Sequence, residues 1–234
     1  MVIASTQIPS KPIRPLRVLV VDGNPDSGRA VVEYFKWKGH DARAPGTARE
    51  ALKFAPQFSP ELVLVDLDIS DVPGPEIGEQ IRNNQNASAA VITGLSVSES
   101  LYLRRRCAEV GFDYFLTHPV AANEYDYLLS AADNKSHITE TFFNRKREHD
   151  AQFYGFVIAQ LDFGHLILDY AQKHYDTDGV TMQRSLERAD RIGDLATIWL
   201  GRATSLSYDQ TTRVFAITGA LRRRVAEMRD GRSF

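Results

Sequence analysis

The 234-residue sequence has a single cysteine, Cys107, and no apolar run of the length that a membrane-spanning helix requires. One cysteine excludes an intrachain disulfide, and a bilayer span takes about 20 consecutive apolar residues. Residues 1–16 contain three prolines and lack the apolar stretch of a signal peptide. These absences favour a cytoplasmic globular protein with no membrane partner.

Charge of one sign is also lacking, since 28 Lys and Arg residues oppose 30 Asp and Glu residues. The net charge of -2 therefore produces no field that indicates a nucleic-acid or membrane partner. The two parts of the chain differ, because residues 1–134 hold 13 basic and 17 acidic residues and residues 135–234 hold 15 and 13. Apolar residues make up 43% of the chain, which predicts one or two domains with packed cores.

Strand and helix patterns alternate from residue 17 to residue 132. Short, largely apolar runs predict buried parallel strands at residues 17–21, 62–65, 90–92 and 112–116, and residues 42–44 suit a further short strand. The segments that follow them predict helices at residues 26–38, 47–54, 74–82, 98–110 and 123–132. This alternation predicts an α/β domain with a flavodoxin-like (βα)5 doubly wound parallel sheet.

Polar residues stand where four of these strands end: Asp22, Asp66, Thr93 and His118. Ligands of doubly wound sheets bind at the carboxyl ends of the strands, so these side chains are expected to converge on one pocket. Carboxylates suit a divalent cation, and a hydroxyl and a cationic side chain suit phosphoryl oxygens. The pattern therefore favours phosphoryl chemistry at this edge.

Five pieces of the sequence resemble the receiver domains of response regulators, in the same order. They are residues 18–27 (VLVVDGNPDS), residues 62–69 (LVLVDLDI), Gly74, residues 91–94 (VITG) and residues 111–120 (GFDYFLTHPV). The resemblance covers about half the chain, and it implies a switching module of two-component signalling rather than an enzyme. No P-loop, dinucleotide-binding glycine pattern or nucleophile–base pair points to another chemistry.

The resemblance implies that Asp66 accepts a phosphoryl group from a histidine kinase or a small phosphodonor. Thr93 would bond to a phosphoryl oxygen. Mg²⁺ would be held by Asp22, Asp66 and the backbone carbonyl of Asp68, with the Asp68 side chain or Asp26 as partial substitutes for a missing ligand. The plain alternatives are a strand-end cap for Asp66 and a core hydroxyl for Thr93.

The resemblance also assigns Phe115 to the aromatic position that turns inward on activation, and it implies a cis peptide before Pro119. Ordinary core packing is the alternative for Phe115. Two residues depart from the family pattern. Gly23 stands where a second acidic residue normally binds the metal, and His118 replaces a lysine whose charge is permanent at neutral pH. Both changes weaken metal binding or the stabilisation of an aspartyl phosphate.

Residues 135–234 predict an all-α domain for output or dimerisation, after a tail at residues 1–15 and a receiver-like domain at residues 16–134. Helical periodicity indicates helices at residues 139–175 and 181–200, and Ser207 with Gln210 forms a capping box for a third. Three helices make a thin core alone, which favours docking or self-association. A continuous first helix that pairs with a second copy is one arrangement.

Three functions remain open from the sequence. The first is an atypical response regulator that signals through protein contacts of its helical half. The second is a transcriptional regulator that binds DNA or RNA through Arg222, Arg223 and Arg224, although a solvated charged helix face explains that run equally. The third is a structural dimer in which the receiver-like half serves only as a scaffold.

Overall fold

The computed structural model describes residues 14–69, 71–98, 100–133, 150–173, 179–200, 203 and 206–231. Five parallel strands form one sheet in the order β2-β1-β3-β4-β5. Their bounds are β1 Arg17–Val21, β2 Asp41–Arg43, β3 Leu62–Asp66, β4 Val91–Ser96 and β5 Tyr114–Thr117. This order is the flavodoxin-like form of the doubly wound sheet, and the predicted fold class is confirmed.

Helices cover both faces of the sheet, as a parallel sheet requires. Their bounds are α1 Pro25–Trp37, α2 Ala48–Phe58, α3 Gly74–Arg82, α4 Leu101–Val110 and α5 Ala122–Asp133. On one face α1 packs against α5, where the rings of Phe35 and Tyr125 are 5.4 Å apart. On the other face α2, α3 and α4 lie in a row.

Local side chains set the helix boundaries. The Asn24 side chain accepts the backbone N–H of Asp26 at 3.0 Å and caps α1. The hydroxyl of Thr47 accepts the N–H of Glu50 at 3.1 Å and starts α2 where the sequence predicts it. Helix α2 ends at Phe58 rather than near residue 54, so it continues through Pro56, which removes one N–H group from the hydrogen bonding of its last turn.

Strand β4 is longer than predicted, and this difference moves one of the predicted site residues. The apolar run predicts an end at Thr93, but the strand continues to Ser96. Gly94 does not stop it, because the missing side chain leaves room for neighbours: a Cβ there would lie 2.9 Å from Leu67 Cδ1. The glycine is a packing requirement inside the strand and not a turn.

The second half is helical, as predicted, with α6 Asp150–Lys173, α7 Gly179–Leu200 and α8 Tyr208–Arg229. Ser207 and Gln210 form the predicted capping box at the start of α8. Residues 139–149 and 174–175 of the predicted first helix lie outside the described residues, as does the predicted domain boundary after residue 134. Within the described residues, no helix is long and apolar enough to cross a membrane.

The three helices pack against each other, and α6 also contacts β5 and α4. The helical half therefore docks on the sheet edge that β5 forms. Such docking is expected of a core with only three helices. Pairing of the first helix with its copy in a second subunit remains a prediction.

Candidate functional site

Asp66 ends β3 at the carboxyl edge of the sheet, and Asp22 follows directly after β1. The parallel register pairs Val21 with Val65, so the two carboxylates come from adjacent strand ends. An oxygen of Asp66 accepts the N–H of Asp68 at 3.0 Å. Burial raises the pKa of Asp66, the charges of Asp22 and Asp68 add to the rise, and N–H groups of Asp68 and Gly23 oppose it.

The raised pKa of Asp66 predicts that this carboxylate destabilises the fold at neutral pH. A carboxyl whose pKa is higher in the folded than in the unfolded protein destabilises the fold at pH values above its folded pKa. The destabilisation decreases as the pH falls through the folded pKa, and it is gone below the unfolded pKa. Asp66→Asn should therefore be more stable than the native protein in urea at pH 7, with the difference shrinking toward pH 4. The exposed Asp162→Asn serves as control, and a loss of stability in Asp66→Asn at pH 7 would contradict the prediction.

The Asp68 side chain is hydrogen-bonded to the end of β4. It accepts the hydroxyl of Ser96 at 3.2 Å and the N–H of Val97 at 3.0 Å. These bonds tie the β3–α3 loop to the end of β4. They also use part of the hydrogen-bonding capacity of the side chain that the sequence offers as a replacement metal ligand.

A magnesium site here depends on two carboxylates. Among the described residues, no three Asp, Glu, His or Cys side chains are grouped as metal ligands. Magnesium commonly keeps several waters and binds protein through only one or two carboxylates, so Asp22 and Asp66 suit a weak site. The family's further ligand is absent at Gly23, where an added Cβ would meet Ile69 Cγ1 at 3.1 Å.

Thr93 does not lie at the edge where Asp66 lies. Its strand partners are Leu64 and Tyr114, whereas Asp66 pairs with Leu95. The Thr93 side chain is fully buried, and its hydroxyl has no hydrogen-bond partner among the described residues. The strand-end position predicted for Thr93 is therefore wrong, because β4 extends beyond it.

Ser96 is the hydroxyl at the carboxyl end of β4, and the sequence prediction missed it. It pairs with Thr117 of β5, and its carbonyl accepts the N–H of His118 at 2.9 Å. The sequence indicates this position only if Gly94 is taken as a strand residue, because the strand then continues over residues 91–96 and ends at Ser96. His118 is half-buried and joined to Pro119 by the expected cis peptide.

Phe115 is fully buried against the helical half of the chain. Its ring centroid is 6.1 Å from that of Phe163 in α6, and the guanidinium carbon of Arg104 lies 4.7 Å above the ring. The side chain of Gln160 accepts the N–H of Phe115 at 3.3 Å and donates to its carbonyl at 2.7 Å. Gln160 thus satisfies both backbone groups that the edge strand β5 leaves open at this residue.

Comparison with known proteins agrees with this geometry. Residues 18–129 match the family model of the response regulator receiver domain. These residues are a response regulator receiver domain. Receiver domains in general act in two-component signalling, in which they interact with histidine kinases or phosphodonors and with partner proteins.

The curated relatives match this chain over only part of their own length. A sensor histidine kinase AtsR from Burkholderia thailandensis is 31% identical over 120 residues, which are 50% of this chain and 20% of that protein. A transcriptional regulatory protein KdpE from Mycobacterium tuberculosis is 26% identical over 115 residues, 49% of this chain and 50% of that one. The chain thus spans a fifth to a half of these relatives.

Solved structures of similar fold are receiver domains too. Chemotaxis protein CheY4 from Vibrio cholerae is 19% identical and covers 50% of this chain and 98% of its own, with a TM-score of 0.48. The receiver domain of a Pseudomonas aeruginosa sensor histidine kinase, with magnesium in its active site cleft, is 18% identical and covers 51% and 98%, with a TM-score of 0.47.

A second polar cluster joins the receiver domain to α7 at the opposite, amino-terminal edge of the sheet. Asp113 is buried between three arginines: Arg82 of α3 at 2.6 Å, Arg191 of α7 at 2.8 Å and Arg188 of α7 at 3.7 Å. Burial raises the pKa of Asp113, but the three guanidinium groups outweigh burial and lower it. Nothing in the sequence around Arg188 and Arg191 predicts these partners.

Two arginines of the run at the end of the chain are paired with carboxylates of neighbouring helices. Arg222 pairs with Asp194 at 2.8 Å, and Arg224 pairs with Asp169 at 2.8 Å. Arg223 between them is exposed. The run therefore links α8 to α6 and α7 through two partly exposed ion pairs, and a nucleic-acid contact of these arginines stays a prediction.

Proposed function

We propose that this chain is an atypical response regulator in which Asp66 accepts a phosphoryl group and the helical half senses the state of β5. The observation that carries the proposal is the pair of hydrogen bonds between Gln160 and the backbone of Phe115. Phe115 occupies the aromatic switch position of the family pattern. A change at the phosphorylation site that moves this residue therefore acts directly on α6.

The chemistry at Asp66 is nucleophilic transfer. A carboxylate oxygen forms a bond to phosphorus while the bond from phosphorus to the donor nitrogen or oxygen breaks, and the donor leaves with that electron pair. Bound Mg²⁺ supplies positive charge to the phosphoryl oxygens, and Asp22 and Asp66 are the residues that would hold it. Gly23 provides no metal ligand where the family pattern has an acidic residue, and His118 replaces the permanent charge of a lysine. Phosphoryl transfer is therefore slower than in a receiver domain with the full pattern.

The switch that we infer is a competition for the hydroxyl of Ser96. In the present structure that hydroxyl donates to the carboxylate of Asp68. A phosphoryl group on Asp66 is a stronger acceptor because it carries more charge. When the Ser96 hydroxyl donates to the phosphoryl group instead, it no longer holds Asp68. Asp68 then also releases the N–H of Val97, so the β4–α4 loop changes its contacts.

The output follows from where α6 packs. Helix α6 lies against β5 and α4, the elements next to that loop. Domain limits of residues 16–134 for the receiver and 135–234 for the helical half suit this arrangement, with residues 1–15 as a tail. The helical half then acts through a protein partner or a second copy, with no enzymatic step and no nucleic-acid contact of its own.

The proposal is tested with beryllofluoride, a phosphoryl mimic, in the presence of Mg²⁺. Trp199 is 2% exposed and its ring lies 6.3 Å from Tyr154, so its emission reports the packing of α6 on α7. Trp37→Phe leaves Trp199 as the single tryptophan of the chain, which has two. We expect a Mg²⁺-dependent change in emission that Asp66→Asn abolishes. Unchanged emission at millimolar beryllofluoride would contradict the coupling.

A further inference from the structure

Helix α8 buries one face and leaves the opposite face to solvent. It packs on α6 and α7, and its buried residues are Val214, Thr218, Leu221, Val225 and Met228. Five uncharged residues lie on the other face at helical spacing: Tyr208, Thr212, Phe215, Gly219 and Ala226. At 3.6 residues per turn they fall within about 60° of arc over a length of about 27 Å, and we name this set the α8 stripe.

Two large rings of the α8 stripe are exposed. Tyr208 is 85% exposed and Phe215 is 74% exposed. Burial of a phenylalanine side chain contributes about 1.5–3 kcal/mol, so the chain alone leaves this contribution unused at residue 215. Scattered exposed apolar residues are common on soluble proteins, and the rings therefore need a second observation before they indicate an interface.

Gly219 supplies that second observation. It lies in the middle of α8, where a glycine costs about 1 kcal/mol relative to alanine. Outside its own helical turns, no described atom lies within 4 Å of the place where its Cβ would be. The contrast is Gly164 of α6, where a Cβ would lie 3.0 Å from Leu221 Cδ2, so helix packing requires that glycine. Packing within the described chain does not require Gly219, which leaves a notch in the α8 stripe that is open to another molecule.

The notch at Gly219 and the ring of Phe215 are about one helical turn apart, which makes the α8 stripe complementary to itself. If two copies of α8 lie antiparallel about a two-fold axis at residue 217, Phe215 of each copy faces Gly219 of the other. The same axis sets Tyr208 opposite Ala226. A large side chain thus meets a small one at every one of these contacts, as a self-complementary two-fold interface requires. Small residues also let two helices approach to about 8 Å.

Charges beside the α8 stripe are complementary in the same antiparallel arrangement. Asp209 and Arg223 are both exposed and lie along one border of the stripe. The axis at residue 217 brings Asp209 of one copy within about 3 Å of Arg223 of the other along the helix direction, so two Asp–Arg pairs form. In a parallel pair each charge would face its own counterpart and repel it. Arg222 and Arg224 pair within their own chain, and Arg223 lies exposed between them.

We propose that the protein forms a two-fold dimer through the α8 stripe, with the two α8 helices antiparallel. This goes beyond the proposed function, because the contact uses residues of α8 alone and does not depend on phosphorylation of Asp66. A single pair of helices makes a small interface, so we expect a dissociation constant on the order of micromolar.

The test is sedimentation of the full chain over concentrations on either side of a micromolar dissociation constant. The mass should double as the concentration rises. Phe215→Glu should raise the dissociation constant at least about thirtyfold, the effect of losing an interface hot spot. Arg213→Glu, which adds the same side chain to α8 outside the α8 stripe, is the matched control and should dimerise like the native chain. Asp66→Asn should do so too, which separates this contact from events at the phosphorylation site.

Filling the notch separates a role in pairing from a role in folding. Gly219→Leu should abolish the dimer without lowering the melting temperature of the monomer, because leucine favours the helix and meets no neighbour in the described chain.

A charge exchange tests the antiparallel direction. Asp209→Arg and Arg223→Asp should each weaken the dimer, and the two changes together should restore it. A native chain that stays monomeric, or a dimer that Phe215→Glu and Gly219→Leu leave intact, would overturn the proposal. A double exchange that weakens the dimer further would overturn the antiparallel arrangement.

Discussion

We expect Asp113→Ala to lower the free energy of unfolding by about 3–5 kcal/mol, the cost of leaving buried charges without their partner. Asp113 lies at the centre of three guanidinium groups and also accepts the N–H of Ile92 at 2.9 Å. Its removal leaves three arginines at the junction with no carboxylate among them. Urea unfolding followed by circular dichroism measures the loss.

An exposed ion pair provides the control for this prediction. Asp41 lies 2.9 Å from Arg43, with both side chains about half exposed. Asp41→Ala should cost no more than about 1 kcal/mol, because solvent screens the pair. Similar losses in the two variants would show that the Asp113 cluster contributes little, and they would weaken the account of how α7 is held to the receiver domain.

Restoring the family residues should speed phosphorylation of Asp66 by small phosphodonors. We expect His118→Lys and Gly23→Asp each to raise the rate about tenfold to a hundredfold. This range corresponds to the ~1.5–3 kcal/mol that a hydrogen bond to a charged group contributes. The lysine adds a permanent charge for the phosphoryl group, and the aspartate adds a metal ligand. Gel separation of the phosphorylated form with acetyl phosphate and Mg²⁺ gives the rates.

The design of this experiment follows from the packing around Gly23. An added Cβ would lie 3.1 Å from Ile69 Cγ1, so Gly23→Asp is combined with Ile69→Ala to provide space. Ile69→Ala alone controls for the cavity. Adding Asp66→Asn to the restored protein should abolish the signal. If the restored protein reacts no faster than the native one, then Gly23 and His118 do not limit the reaction.

The sequence predicts the receiver half well because its signals are local and repeated. Buried strands such as Leu62–Asp66 consist of β-branched and apolar residues, and polar residues mark their ends. The placement of Asp22 and Asp66 at neighbouring strand ends follows from the parallel topology alone. In contrast, the end of β4 depended on Gly94, whose role is set by Leu67 and Phe112 across the core and is not visible locally.

The contacts between the two halves could not be predicted from the sequence. Gln160 looks like any polar residue of an amphipathic helix, yet it bonds to a strand 45 positions earlier in the chain. Arg188 and Arg191 look like a charged helix face, yet they converge on Asp113. Such pairings depend on how α6 and α7 dock on the receiver domain, and the periodicity of a helix sequence does not predict that docking.

Hydrogen–deuterium exchange with and without Mg²⁺ and beryllofluoride tests the central claim, that the state of Asp66 reaches α6 through Phe115. We predict that the ligands change exchange in peptides around Ser96, Phe115 and Gln160, and that Asp66→Asn removes all three changes. Gln160→Ala provides the reference for a β5 edge without its side-chain partner. Ligand protection confined to the loops around Asp66, with β5 and α6 unaltered, would contradict the account.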